Sequence, residues 1–286
     1  MTSELSSLCS YAKGKVSVDT LSKRNYVSTE NMMPNKGGIV DAGALPSAQY
    51  TQQYIKDDIL VSNIRPYFKK IWMADDDGGC SNDVLVFRAD RGCDSTFLYY
   101  ILANDAFFNY ASATSKGTKM PRGDKTAIMQ YKVPCFNYET QLRIGKLLRS
   151  IDDRIAVNKK INDNLQQQLF SLYENMATAS PCLKEYTLSN LCDFQEGYVN
   201  PPQTHPEYFD GEVKWLRAVD INESFIIETS RTLTKAGFES AKKSALLFEP
   251  NTIAISKSGT IGRLGIIADY MCGNRAVINI APHDTN

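Results

Sequence analysis

The chain repeats itself, and the repeat constrains every architecture open to it. The block Leu5-Ser6-Ser7-Leu8-Cys9, continuing to Gly14 and Val16, returns as Leu188-Ser189-Asn190-Leu191-Cys192, continuing to Gly197 and Val199, with Tyr11 answered by Phe194. Further on, Tyr54 to Ser62 is answered by Phe248 to Ser256, and Cys80-Ser81-Asn82 by Cys272-Gly273-Asn274. A period of roughly 190 residues is far too long for a solenoid unit and matches duplication of a whole domain. The first copy runs on for about a hundred residues after Cys80, whereas Asn286 follows Cys272 closely, so the second copy is incomplete here.

Each copy mixes strand and helix signals. Ile59 to Ser62, Asp83 to Phe87, Thr252 to Ser256 and Ala276 to Ile280 read as short strands, and Ser95 to Ala113 reads as helical. Between the copies, from about Asn137 to Ala177, runs a heptad seam. Leu148, Ile151, Ile155, Asn158, Asn162, Leu165, Leu169, Leu172 and Met176 follow at alternating spacings of three and four. Asn137 can cap this helix, Glu139 suits the positive end of its dipole, and Ser180-Pro181 closes it. At 1.5 Å per residue it would be roughly 60 Å long, and its apolar stripe needs a partner. Asn158 and Asn162 either fix register as buried amides or face water where the seam splays. The expected fold class is therefore α/β: duplicated domains with a mixed sheet at 1–136 and an incomplete 182–286, joined by a coiled-coil-type helix over 137–179.

Several chemistries are excluded. No Walker loop, nucleophile elbow, zinc-protease helix or kinase set occurs, and Lys257 precedes the glycines that would have to come before it. The only histidines, His205 and His283, both fall in the incomplete copy, which rules out a duplicated histidine-based active site. The 7 cysteines lack a C-x-x-C pair, so reduced thiols are expected, with no metal and no catalytic residue. No stretch is apolar enough to span a bilayer, and the amino terminus lacks a signal-type apolar region, so a cytoplasmic location without membrane contact is expected. Lys+Arg and Asp+Glu both number 32, so any affinity for nucleic acid has to come from local patches.

Two such patches stand out. Lys116 to Lys125 packs Lys116, Lys119, Arg122 and Lys125 with Gly117, Gly123 and Pro121 into one loop, whose natural partner is phosphate. Arg65 and Lys69 follow the strand ending at Ser62, and Lys257, Ser258 and Arg263 follow the matching strand ending at Ser256. Both copies thus put basic residues and a turn in one topological place, with Arg65 suited to guanine or phosphate and Tyr67 or Phe68 to stacking. The simpler alternative is solvated lysines beside core aromatics.

Taken together, these residues resemble the specificity subunit of Type I restriction-modification enzymes. The resemblance is carried by Leu5 to Val16, Ile59 to Pro66, Gly117-Thr118-Lys119-Met120-Pro121, and Gln141 to Met176 with its Ile151-Asp152-Asp153-Arg154-Ile155 run. In the second copy it is carried by Asn200-Pro201-Pro202, Tyr208 to Gly211, Val213 to Arg217 and Ser258 to Gly262. It implies two target-recognition domains, each reading half of a bipartite double-stranded DNA sequence, with helices that space the halves and dock the methyltransferase subunits. No reaction would occur on this chain. S-adenosylmethionine would belong to the methyltransferase, and ATP and Mg to the restriction subunit and its partners.

The chain departs from that pattern because the second long helix of the family, and the basic loop and helix of the second domain, do not occur in it. As a fragment it would simply not show them. As a natural truncation, its exposed seam could pair with another copy of itself. Two other classes stay open: a coiled-coil adaptor that binds only protein, and a decoy that binds the methyltransferase without reading DNA.

Overall fold

The computed structural model describes residues 2–179 and 185–283. Ser180-Pro181, the expected end of the long helix, and Cys182 lie outside the described residues. The chain divides into two compact units, Met1–Tyr173 and Glu174–Asn286.

The first unit contains strands β1 (Thr2–Glu4), β2 (Cys9–Tyr11), β3 (Lys15–Ser17), β4 (Tyr26–Val27), β5 (Tyr50–Tyr54), β6 (Ile59–Ser62), β7 (Ile71–Met73), β8 (Gly78–Cys80), β9 (Val84–Ala89) and β10 (Lys132–Pro134). Its helices are α1 (Ser95–Leu102), α2 (Asp105–Ala113), α3 (Lys125–Met129) and, except for its last residues, which belong to the second unit, α4 (Tyr138–Ala179). One antiparallel sheet has the order β2-β9-β6-β7, and a second has the order β3-β5-β8-β4, with β4 parallel to β8. Alternation along β6 and β9 serves both sides of the first sheet. Ile59, Val61, Leu85 and Phe87 pack on Leu98, Leu102, Phe107 and Phe108 of the helices. Leu60, Val84 and Val86 pack with Tyr54 and Cys80 of the second sheet. The segment Ser95 to Ala113 is two helices rather than one. The Asn104 side chain accepts from Ala106 N at 2.8 Å, so a fresh N-cap interrupts the apolar stripe.

The second unit contains β11 (Cys192–Glu196), β12 (Phe209–Leu216), β13 (Phe225–Ile226), β14 (Thr232–Leu233), β15 (Ile253–Ser256), β16 (Leu264–Ile267), β17 (Cys272–Gly273) and β18 (Val277–Pro282), with the short helix α5 (Lys235–Glu239). Its larger sheet runs β11-β18-β15-β16-β13, so the first four strands repeat the order β2-β9-β6-β7. The match extends to single hydrogen bonds. Asp57 N to Ala74 O at 2.9 Å is repeated by Asn251 N to Ile267 O at 2.7 Å, and both donors sit at left-handed φ. Asn63 N to Asp83 O is repeated by Lys257 N to Ala276 O, each 2.8 Å. One expected equivalence shifts. Ser81 N donates to Val27 O and Asn274 N to Leu216 O, which places Cys80 against Gly273, one residue from the Cys80–Cys272 match in the sequence. Position in the ladder, and not the shared cysteine, sets the correspondence.

The long helix starts where expected. Asn137 Oδ1 accepts from Thr140 N at 2.8 Å, capping α4. Its first turns dock on the first unit: Gln141 is buried, accepts from Asp94 N at 3.1 Å and donates to Phe136 O at 2.9 Å. A Cβ on Gly145 would lie 2.8 Å from Asp94 Oδ1 and 3.2 Å from Phe97 N, so only glycine allows this approach to α1. Tyr100 Oη donates to Asp152 at 2.7 Å about two turns farther along α4. Leu148 is half-buried, and from Ile151 to Met176 every seam residue is exposed, Asn158 and Asn162 included. Gly145→Leu is expected to lower stability by about 1–3 kcal/mol through overpacking against Asp94 and Thr96, measured as a lower urea midpoint.

Candidate nucleic-acid interface

The turn after β6 and the basic loop form one structure. The buried Ser62 closes the β6–β7 hairpin through its N–H to Lys70 O at 3.1 Å. Arg65 then takes a left-handed φ of 49°, and Pro66 at the head of a short 3-10 turn (Pro66–Phe68) fixes the path outward. Arg65 N donates to Pro121 O at 2.8 Å and Gly123 N donates to Asn63 O at 3.2 Å, which zips the loop of Lys116 to Lys125 onto this turn. Lys116 and Arg122 exchange a pair of 2.9 Å backbone hydrogen bonds that close the loop on itself. Arg65 and Met120 consequently line one cleft of about 550 Å³ with Thr29, Glu30 and Asp83.

Half of the cations singled out from the sequence are already paired. Lys69 and Lys36 both reach Asp105, at 3.0 and 2.8 Å, and hold its carboxyl below the usual range, Lys36 contributing most. Lys116 binds Asp124 and lowers its pKa, helped by the Ala127 and Thr126 amides that Asp124 accepts as N-cap of α3. Arg122 meets Asp83 at 3.1 Å. Arg65, Lys119 and Lys125 are exposed and, among the described residues, carry no ion pair. Tyr67 and Phe68 are also exposed and lie against each other, ring centroids 4.9 Å apart, so neither is a core aromatic.

The second unit rebuilds the hairpin with other residues. Ser256 is buried like Ser62, and its N–H donates to Arg263 O at 3.0 Å where Ser62 uses Lys70 O. The Ser256 hydroxyl also bonds Thr260 O and accepts from Arg263 N, closing a tip in which Gly259 and Gly262 take positive φ. Ser258 and Arg263 are exposed, whereas Lys257 is drawn to Glu196 at 2.8 Å and keeps that carboxyl ionised to lower pH.

Lys13 and Lys15 were not among the residues singled out from the sequence. With Lys125, Tyr50, Gln52 and Asn82 they line a cleft of about 360 Å³, and both are exposed without an ion pair among the described residues. Their signal was available: Lys13-Gly14-Lys15 stands where the second copy has Glu196-Gly197-Tyr198.

Among the described residues no three of His, Cys, Asp and Glu converge as ligands. Cys9, Cys80, Cys93, Cys135, Cys192 and Cys272 are free thiols, and burial pushes Cys80, Cys93 and Cys272 up to about 12, far from reactive thiolates. Among the described residues no helix is long and apolar enough to cross a membrane.

Asp105→Asn is expected to release Lys36 and Lys69, steepening the salt dependence of non-specific DNA binding by up to about two phosphate equivalents. A slope equal to wild type, from titrations across a salt series, would mean that these lysines face away from DNA.

The chain is similar to the S subunit of a Type I restriction-modification system from M. genitalium, with a TM-score of 0.59 and 17% identity over 100% of this chain and 73% of that one. It is also similar to the HsdS subunit from Thermoanaerobacter tengcongensis, with a TM-score of 0.46 and 18% identity over 100% of this chain and 76% of that one. At such identities the likeness to the first of these speaks for the fold alone. The family model of the Type I restriction modification DNA specificity domain matches residues 1–167, more than half of the sequence, and the chain belongs to that family.

Proposed function

We propose that this chain recognises a bipartite double-stranded DNA target for a Type I restriction-modification complex, each unit presenting the hairpin that follows its buried serine to one half of the site. The observation that carries the proposal is the recurrence of that hairpin. Ser62 and Ser256 close it with equivalent hydrogen bonds, and each hairpin exposes an arginine, Arg65 or Arg263, without an ion pair among the described residues. In the first unit Lys119 and Lys125 on the attached loop supply phosphate contacts, with Lys13 and Lys15 on the neighbouring cleft. Paired cations such as Lys69, Lys116, Arg122 and Lys257 shape the loops and reach DNA only on exchange of partner.

In this reading the chain performs no chemistry of its own. S-adenosylmethionine would be bound by the methyltransferase subunits, and ATP with Mg by the restriction subunit. The exposed seam from Ile151 to Met176 is the surface that another helix would cover, whether from a methyltransferase subunit or from a second copy of this chain. A protein-only adaptor or a decoy would need the seam but not the exposed arginines.

Co-expression with the methyltransferase subunit encoded beside it, followed by mapping of adenine methylation across the host genome, tests the proposal. A bipartite motif with a fixed gap is expected, and a palindromic motif would mean that two copies of the first unit pair through the seam. A soluble complex that adds no methylation would overturn DNA reading in favour of the decoy.

Arg65→Ala is expected to weaken specific DNA binding by about 1–3 kcal/mol and to relax the base preference at one position, as read by competition binding. Leu165→Asp with Leu169→Asp is expected to abolish helix-mediated assembly in sedimentation while leaving the melting of the first unit unchanged, because both residues are already exposed.

A further inference from the structure

The cleft lined by Arg65 also holds a charge of the wrong sign for a polyanion. Two carboxylates line it, Asp83 and Glu30. Asp83 is neutralised by Arg122 at 3.1 Å, whereas Glu30 is exposed and carries no ion pair among the described residues. The turn that bears Glu30 is held from several sides. Asn31 is buried, its Oδ1 accepting from Ser28 N at 2.6 Å and its Nδ2 donating to Tyr26 O at 3.1 Å and Val40 O at 2.8 Å. Glu30 N donates to Ser28 Oγ at 3.3 Å. Lys70, on the returning side of the hairpin that presents Arg65, donates its ammonium to Thr29 O at 2.6 Å. The turn with Glu30 and the hairpin with Arg65 are thereby tied together, and the backbone under the carboxylate is fixed.

An unpaired carboxylate fixed in a cleft that receives DNA repels phosphate and gives up hydration there. Only a hydrogen-bond donor on the DNA offsets that cost. In the major groove a G·C pair offers one beside two acceptors: cytosine N4 donates, and guanine O6 and N7 accept. Arg65 supplies donors and Glu30 an acceptor within one cleft, the complement of that edge. Adenine fits less well, because its N7 lone pair adjoins the N6 amino group and would face the second carboxylate oxygen.

We propose that Glu30 is a specificity-determining residue of the first unit, accepting from the N4 amino group of a cytosine in its half of the target. The assignment rests on the DNA-reading role proposed above for Arg65. The second unit cannot repeat the contact. Trp215 and Leu216 lie beside Cys272 and Gly273 as Tyr26 and Val27 lie beside Gly79 and Cys80, and Asp220 accepts from Arg217 N at 3.0 Å as Asn31 accepts from Ser28 N. Val219 therefore stands where the first unit has Glu30, and the two half-sites differ at this position.

The test uses the full chain co-expressed with its methyltransferase subunit. The adenine-methylation motif is compared among wild type, Arg65→Ala, Glu30→Gln and Glu30→Ala, together with the affinity of each complex for a duplex lacking the motif. Glu30→Gln is expected to turn one cytosine of the motif into adenine, since glutamine pairs with adenine N6 and N7, and Glu30→Ala to leave that position without preference. The change falls in the half-site that Arg65→Ala relaxes, and the other half-site and the gap stay as in wild type. Both Glu30 variants are expected to bind the motif-free duplex roughly two- to tenfold more tightly, because a like charge has been removed. An unchanged motif in both Glu30 variants overturns the proposal, as does relaxation at a base other than cytosine or in the half-site that Arg65→Ala leaves intact. Weaker binding to every duplex with the motif kept would make Glu30 a structural residue and overturns it too. A wild-type complex that adds no methylation would instead remove the DNA-reading role itself, and the role of Glu30 with it.

Discussion

Strands β6 and β9 carry apolar side chains on both faces, and everything else in the first unit follows from covering both. Ile59 and Val61 point one way, Leu60 the other, each burial contributing about 1.5–3 kcal/mol, so a slip of one residue would reverse the whole pattern. Helices α1 to α3 fill one side and the β3-β5-β8-β4 sheet fills the other. That double cover holds the end of β6 rigid where the chain leaves Ser62, and the hairpin with Arg65 is aimed by the core beneath it. In the second unit the face of β15 and β18 that carries Ala254 and Val277 is likewise closed, by Leu216, Phe248 and Met271.

The long helix shows how one seam serves two environments. Gln141 and Gly145 lie on the face that continues into Leu148 and Ile151, and there the seam is spent on the first unit: Gln141 satisfies both ends of its amide, and Gly145 lets α1 approach. Past Tyr100 and Asp152 the stripe has left that surface, and Leu165, Leu169 and Leu172 stand in water. In proteins most helical stability comes from packing of an apolar face, so a partner covering the exposed heptad would add to the stability that docking on the first unit supplies at one end. Asn158 and Asn162 stand exposed at seam positions, and a partner helix that covered them would favour the register in which their amides pair.

Local pattern made much of this legible. The four strands read from the sequence stand where Ile59 to Ser62 and its counterparts were expected, because period-two alternation and short apolar runs are local signals. The helix and its Asn137 cap were legible for the same reason, and the family was recognisable because the motifs recur in order. Relations between distant residues were not legible. The break at Asn104 is one hydrogen bond inside a continuous apolar stripe. The pairing of Cys80 with Gly273 instead of Cys272 depends on ladder position, which a shared cysteine conceals. The partners of Lys69, Arg122 and Lys257 are Asp105, Asp83 and Glu196, residues brought close only by the fold.

Those ion pairs bear on how a chain of zero net charge can read a polyanion. A surface of free lysines would bind any DNA, and its non-specific affinity would compete with the target across a genome of decoy sites. Asp83, Asp105, Asp124 and Glu196 each neutralise a cation on or beside the loops while fixing the backbone that presents the remaining ones. Non-specific attraction falls with every such pair, whereas a base-edge contact of the kind proposed for Arg65 would be unaffected. Shaping the loops with acidic residues would therefore raise the ratio of specific to non-specific binding without requiring a net positive chain.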